Sequence, residues 1–268
     1  MQHAEFFRQH PVFTGDELGR HLSSGGDVGE RARESLLAYH RKTGRVVRVR
    51  RGLYAVVPAG ADAASYPIDP YLVGAKLTTD AVLSHHTALA FHGRAHSLRE
   101  QVIYSAARPL RPLTFRSLLY LGAGFPLALR RAGCEGLGVV VGERAGLALR
   151  VTNLERTLVD VLDRPDLAGG WEEVWRSLES IEFFDLDLVA GYARRLGNAT
   201  TAAKVGFFLE QHRELLMVGE RHLAALQELR PRQPHYLDRV RRESGRLVAR
   251  WNLVVPGDLL ERAWAEVL

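Results

Sequence analysis

The first sixty residues change hydrophobic period twice, and those changes predict the local elements. Thr14-Gly-Asp-Glu17 has the form of a capping box, in which the threonine hydroxyl accepts from the backbone at Glu17 and the Glu17 carboxylate reaches back. It opens a short helix through Leu18 and Leu22. Ser23-Ser-Gly-Gly26 breaks that helix, and Asp27 is placed to cap a second one, with Glu30 at its third position. Val28, Ala32, Leu36 and Tyr39 recur at helical spacing as its inward line, with Leu37 and His40 beside them. Glu30, Arg31, Glu34, Ala38, Arg41 and Lys42 are left on the open side, Arg33 lies at the margin, and Gly44 stops the helix. The period then falls to two. In Arg45-Val-Val-Arg-Val-Arg50, Val47 and Val49 face one side and Arg48 and Arg50 the other. Arg51-Gly52 makes a turn, and Leu53 to Val57 returns as a more apolar strand before Pro58.

Beyond Pro58 the stretch to Pro67 is rich in small residues and reads as a linker or first loop. Asp69 to Leu77 and Thr79 to Phe91 read as helices, the second ended by Gly93. Short strands are expected at 101–105, 118–121, 138–141 and 147–151. Thr152-Asn-Leu-Glu155 repeats the capping-box form and starts a helix through Leu158, Val161 and Leu162. From Trp171 to about Gln227 the pattern is mostly helical, followed by a strand around Val248 to Val255 and a terminal helix from Asp258. The expected class is α+β: a small helix–helix–hairpin domain over 1–58, then a larger, helix-rich α+β domain over 59–268 with a sub-boundary near 200.

Composition changes little in this picture; charge changes more. The 268 residues, 46% hydrophobic and 25% charged, are those of an ordinary globular protein. No apolar run approaches the ~20 residues that span a bilayer, and the N-terminus lacks a signal-peptide pattern. A single cysteine, Cys134, permits no internal disulfide, which suits a reducing cytoplasm. The net charge is only +5, but it is unevenly spread: +4 over residues 1–58, −1 over 59–200 and +2 over the remainder. Arg41 to Arg51 carries six cations and no acid, and Arg230 to Arg250 carries seven arginines against Asp238 and Glu243.

Two helices with a tight break followed by a basic hairpin form the layout of a winged helix-turn-helix, whose second helix enters the major groove while the hairpin lies along the backbone or minor groove. The expected partner is therefore double-stranded DNA. Base-reading contacts fall to Arg31 and Arg33 with Ser35 as a third, and phosphate contacts to Arg41, Lys42, Arg45, Arg48, Arg50 and Arg51. The alternative is a small helical domain whose basic hairpin meets an acidic protein surface.

Several stretches resemble one family. Residues 44–58 (GRVVRVRRGLYAVVP) are similar to the wing of AbiEi-type antitoxins, and further matches fall at 84–93 (SHHTALAFHG), 151–160 (VTNLERTLVD) and 251–256 (WNLVVP). The resemblance implies an N-terminal winged helix that represses its own operon and a C-terminal domain that counteracts a nucleotidyltransferase-like toxin, in an abortive-infection (type IV) toxin–antitoxin pair.

Other constellations point to no chemistry. His85, His86, His92 and His96 lack a Cys or Glu at zinc spacing, and Gly93 interrupts any helix between the last two. Glu155 and Asp160 are five apart, on different helix faces, with Glu155 assigned to capping. The glycines at 122–124 and 136–138 lack a P-loop lysine or a dinucleotide fingerprint. No catalytic residue, metal or cofactor is expected, and the reading is of a non-enzyme. The arginines at 230, 232, 239, 241, 242, 246 and 250 have three readings: an extension of the DNA footprint, a dock for an acidic or tRNA-bound toxin, or a solvated turn. Two alternatives to the whole stand beside it, a protein-interaction antitoxin that does not bind DNA and a nucleic-acid-processing enzyme with its site in residues 59–268.

Overall fold

The computed structural model describes residues 2–23, 29–238, 240 and 245–261. The chain is α+β, as expected, and divides into two compact units. One comprises residues 1–83, 100–122 and 141–150; the other comprises 84–99, 123–140 and 151–268. The cut expected after residue 58 therefore falls inside the first unit, and the sub-boundary near 200 falls inside the second. The small-residue stretch after Pro58 is no free linker. Asp62 accepts from the backbone of Ala64 and Ser65, and the Arg116 guanidinium donates to the carbonyls of Ala63 and Tyr66.

The first unit begins with α1 (Gln2–Gln9), β1 (Val12–Thr14), α2 (Gly15–Ser23), α3 (Glu30–Lys42), β2 (Val46–Arg50) and β3 (Leu53–Val56). Its three strands form an antiparallel sheet in the order β1-β3-β2. The Thr14–Glu17 capping box forms as expected: Thr14 N donates to Glu17 Oε2 at 2.7 Å and Glu17 N to Thr14 Oγ1 at 3.2 Å. The pattern did not reveal α1 and β1, because Phe6 and Phe7 are adjacent and β1 is only three residues long. These rings nevertheless build the local core with Phe13, Leu18, Leu22, Leu37 and Val46. The unit continues with α4 (Pro70–Ala75), whose cap Asp69 accepts from Tyr71 N at 2.9 Å and Leu72 N at 3.2 Å. A six-stranded sheet follows, built from β4 (Val82–Leu83), β5 (Gln101–Ala106), β6 (Leu113–Phe115), β7 (Leu118–Gly124), β8 (Val139–Arg144) and β9 (Leu147–Thr152), in the order β6-β7-β5-β4-β9-β8. The helix expected from Thr79 is thus shorter. Val82 and Leu83 are both buried in the sheet, and helix begins only at His85.

The second unit holds α5 (His85–Phe91), α6 (Leu127–Arg131), α7 (Leu154–Asp163), α8 (Trp171–Glu179), α9 (Leu186–Leu196), α10 (Ala199–Gln211) and α11 (Glu220–Gln227). It also holds a small sheet, β10 (His235–Tyr236), β11 (Gly245–Val248) and β12 (Leu253–Pro256), and then α12 (Gly257–Glu261). The single strand expected at 248–255 is a hairpin of two, with Trp251 and Asn252 in its turn. Helix α7 is capped by Asn153, which accepts from Arg156 N at 3.0 Å, and not by a Thr152–Glu155 box. Glu155 instead accepts from the backbone of Asp185. No described helix is long and apolar enough to cross a membrane.

Gly206 shows how closely this unit is packed. A Cβ there would lie 2.1 Å from the ring of Trp251, which is fully buried. Intrinsic helix preference favours alanine over glycine by about 1 kcal/mol. The clash should reverse that sign, so Gly206→Ala is expected to lose roughly 1–2 kcal/mol in urea unfolding. A gain in stability would show that the Trp251 ring has room to move.

Candidate nucleic-acid interface

Helix α3 begins two residues later than its composition suggested. Its N-cap is Gly29, with no side-chain capping bond, and Asp27 and Val28 lie outside the described residues. Its end is as expected. Gly44 takes φ +71°, with Gly44 N donating to Arg41 O at 3.2 Å and Arg45 N to His40 O at 2.9 Å. This paired closure needs a left-handed residue, which glycine supplies at least cost.

The inward line differs from the one the spacing suggested. Leu37 and His40 are buried and Leu36 is half-buried, whereas Ala32 is exposed and Tyr39 is 62% exposed. A rotation of about one residue moves Tyr39 out and Arg33 in. The Arg33 side chain is only 25% exposed and pairs with Glu30 at 3.2 Å and Asp16 at 4.0 Å. Arg33 is therefore drawn towards α2 and its own helix and away from the exposed side of α3, where the sequence expectation needed it. Arg31, Ser35, Ala38 and Lys42 are all exposed and follow each other at helical spacing, so they form one stripe, with Arg41 exposed beside it. Tyr39 is the exposed residue that sequence reasoning missed. Local spacing carried no signal for it, because the side of α3 that is buried is set by its packing against α2 and β2.

The hairpin departs from simple alternation for an identifiable reason. Arg48 pairs with Tyr54 and Arg50 with Leu53, so Val49 is an extra residue and the strand bulges there. Val46 and Val49 are the buried valines, and Val47 is half-buried. Arg45, Arg48 and Arg51 remain exposed, with Gly52 at φ +82° completing the turn. The bulge turns Arg50 differently. It is half-buried, and its Nε is buried without a hydrogen-bond partner among the described residues. Arg50 thus does not join the outward set. Of the cations expected to meet DNA, the exposed ones are Arg31, Arg41, Lys42, Arg45, Arg48 and Arg51.

Among the described residues, the second arginine run does not form a single basic face. Arg250 donates to Glu210 at 2.8 Å and also to Glu220, and lies over the Trp251 ring with 5.6 Å to its centroid. Arg246 pairs with Glu261 at 3.4 Å. Arg230 is half-buried and Arg232 exposed, while Arg239, Arg241 and Arg242 lie outside the described residues. Arg250 thus serves the packing of its own unit.

His85, His86 and His92 have protein partners for their rings. His85 Nδ1 lies 3.0 Å from Ser84 Oγ, His86 Nε2 3.1 Å from Glu173 Oε1, and His92 Nε2 2.8 Å from Thr152 O. Burial lowers the pKa of His86 even though Glu173 opposes the change. Burial alone would raise Glu173, but bonds from Ser97, together with His86 and Ser177, hold its carboxyl below the ordinary value. Such a group cross-links its unit.

No family model and no curated protein matches the chain. Among solved structures, the crystal structure of the RV2827C protein from Mycobacterium tuberculosis is similar, with a TM-score of 0.59 and 17% identity over 98% of this chain and 93% of that one. The likeness is one of fold.

Proposed function

We propose that this protein binds duplex DNA through its N-terminal elements and represses its own operon. In this reading it is the antitoxin of an abortive-infection toxin–antitoxin pair, in the cytoplasm, and counteracts a nucleotidyltransferase-like toxin. One observation carries the DNA part: the exposed stripe Arg31–Ser35–Lys42 on α3 runs into a hairpin whose outward arginines are Arg45, Arg48 and Arg51. The order α1-β1-α2-α3-β2-β3, with a three-stranded sheet ordered β1-β3-β2, supports the reading as a winged helix-turn-helix. The antitoxin part rests on the sequence resemblance at residues 44–58, 84–93, 151–160 and 251–256.

A gel shift with the DNA upstream of its own gene, at stated salt, tests the binding. No shift at micromolar protein would leave a protein-interaction role in its place. Arg31→Ala is expected to cost about 1–3 kcal/mol on the cognate site and to relax base preference. Equal weakening on cognate and random duplexes would sink Arg31 as a base reader. The antitoxin half predicts a nucleotidyltransferase-like reading frame beside this gene; co-expression with it tests the idea, and either the absence of such a frame or continued toxicity on co-expression would refute it.

A further inference from the structure

The first unit contains a cleft of about 790 Å3 whose lining shares only Arg51 with the DNA reading. One wall is α2, α3 and the tip of the β2–β3 hairpin; the other is α4, the turn after it, and strands β8 and β9. Its size falls within the range of small-molecule sites. Six cations line it against four carboxylates. Three of the four carboxylates are already answered. Glu17 pairs with Lys76 at 2.5 Å and accepts from Thr14, while Asp16 and Glu30 share Arg33. Burial alone would raise the Glu17 carboxyl, but the Lys76 and Thr14 bonds outweigh it and hold its pKa low, so it stays a matched anion.

The cations include Arg50, Arg51, Arg20 and Arg150. Arg50 is the telling one. The Val49 bulge places it in the cleft, half-buried, with a buried Nε that no described group accepts from. That N–H is enclosed and costly; the donors the cleft can offer an oxyanion are the remaining ones of this half-buried guanidinium. Across the cleft, Arg150 donates to Thr79 O at 2.8 Å through Nη2. Buried Leu53, Leu72 and Leu149 supply an apolar part of the lining, termed its floor.

We propose that this cleft is a binding site for a small organic phosphate, its anionic group against Arg50 and its body on the Leu53–Leu72–Leu149 floor. A phosphate group, with several acceptor oxygens and up to two charges, suits several guanidiniums where a carboxylate suits one. A DNA backbone fits the cleft poorly. A duplex is stiff over about 150 base pairs and meets outward-facing cations, so it cannot follow a half-buried guanidinium inward.

The test is isothermal titration of the full-length protein with inorganic pyrophosphate and with ATP, both without added metal. Both should bind, ATP more tightly because of the apolar floor. Arg50→Met should weaken both by roughly tenfold or more, the loss of one charge-assisted bond. Arg150→Ala, on the opposite wall, should weaken them as well, which keeps the test decisive should Arg50→Met fail to fold. Absence of binding by either probe up to about 5 mM, a range where even weak sites register, would overturn the proposal. So would ATP binding no tighter than pyrophosphate, or binding unaffected by both substitutions. Competition by a short random duplex that Arg50→Met abolishes would instead assign the cleft to DNA. Arg48→Ala separates this idea from the DNA reading, since it should leave pyrophosphate binding intact while lowering duplex affinity.

Discussion

Replacing Arg45, Arg48 and Arg51 together by alanine is expected to reduce affinity for any duplex several hundredfold at about 0.1 M salt and to flatten the log K against log salt slope by about 2.7. Each phosphate neutralised contributes about 0.9 to that slope, a factor of roughly eight at this salt, and all three side chains are exposed on one hairpin. If these side chains hold phosphates, as proposed, cognate and random DNA should weaken alike. The structure adds a discriminating arm. Adding Arg50→Ala to the triple variant should leave the slope where it is, because Arg50 is half-buried and turned aside by the Val49 bulge. A salt titration by fluorescence anisotropy measures all of this. A slope unchanged in the triple variant would remove the hairpin from the interface.

Asp160→Ala should destabilise the second unit by about 3–5 kcal/mol, the effect of stranding a buried charge. Arg156 is 1% exposed, and its Nε donates to Asp160 Oδ2 at 3.1 Å. Its Nη1 donates to the carbonyls of Glu135 and Leu137, both at 2.7 Å, so the same side chain ties a loop to α7. Tyr192 on α9 completes the cluster by donating to Asp160 Oδ1 at 2.7 Å. Burial and then the Asp160 charge push the Tyr192 pKa well above that of a free phenol, so it remains a donor. Tyr192→Phe should therefore cost less, about 1–2 kcal/mol, since it removes a donor and leaves the ion pair. The double change Arg156→Met with Asp160→Leu should recover most of the Asp160→Ala loss, because no charge is then stranded. Urea denaturation followed by tryptophan fluorescence reads all three. If Asp160→Ala costs under about 1 kcal/mol, the pair is not structurally coupled in the way described.

How much of the site was legible can be judged from particular residues. The Thr14–Glu17 box, the Gly44 stop and the Arg51-Gly52 turn were readable because each depends on contacts within three to five residues. Arg33 was misread, because its burial depends on Asp16 and on the approach of α2, an earlier element of the chain. Arg50 was misread because a single extra residue, Val49, changes the face of everything after it, and nothing in the order of valines and arginines announces a bulge. The Thr152–Glu155 pattern was also misleading. Asn153, between them, is an equally good cap, and only the geometry of the β9–α7 junction chose it.

The sequence by itself determined the α+β class, most of the helices and strands, and the clustering of cations around the hairpin. These follow from periodicity, caps and charge density, which are local properties of a chain. The tertiary structure decided which cations face outward, where one compact unit ends and the next begins, and that Arg250 is spent on Glu210 and Trp251 in its own core. Those outcomes depend on which distant surfaces come together. A guanidinium on a short run of basic residues is the same in sequence whether it meets a phosphate, a carboxylate or a cleft. Burial and partner separate the three cases, and both are set by contacts between residues far apart in the chain.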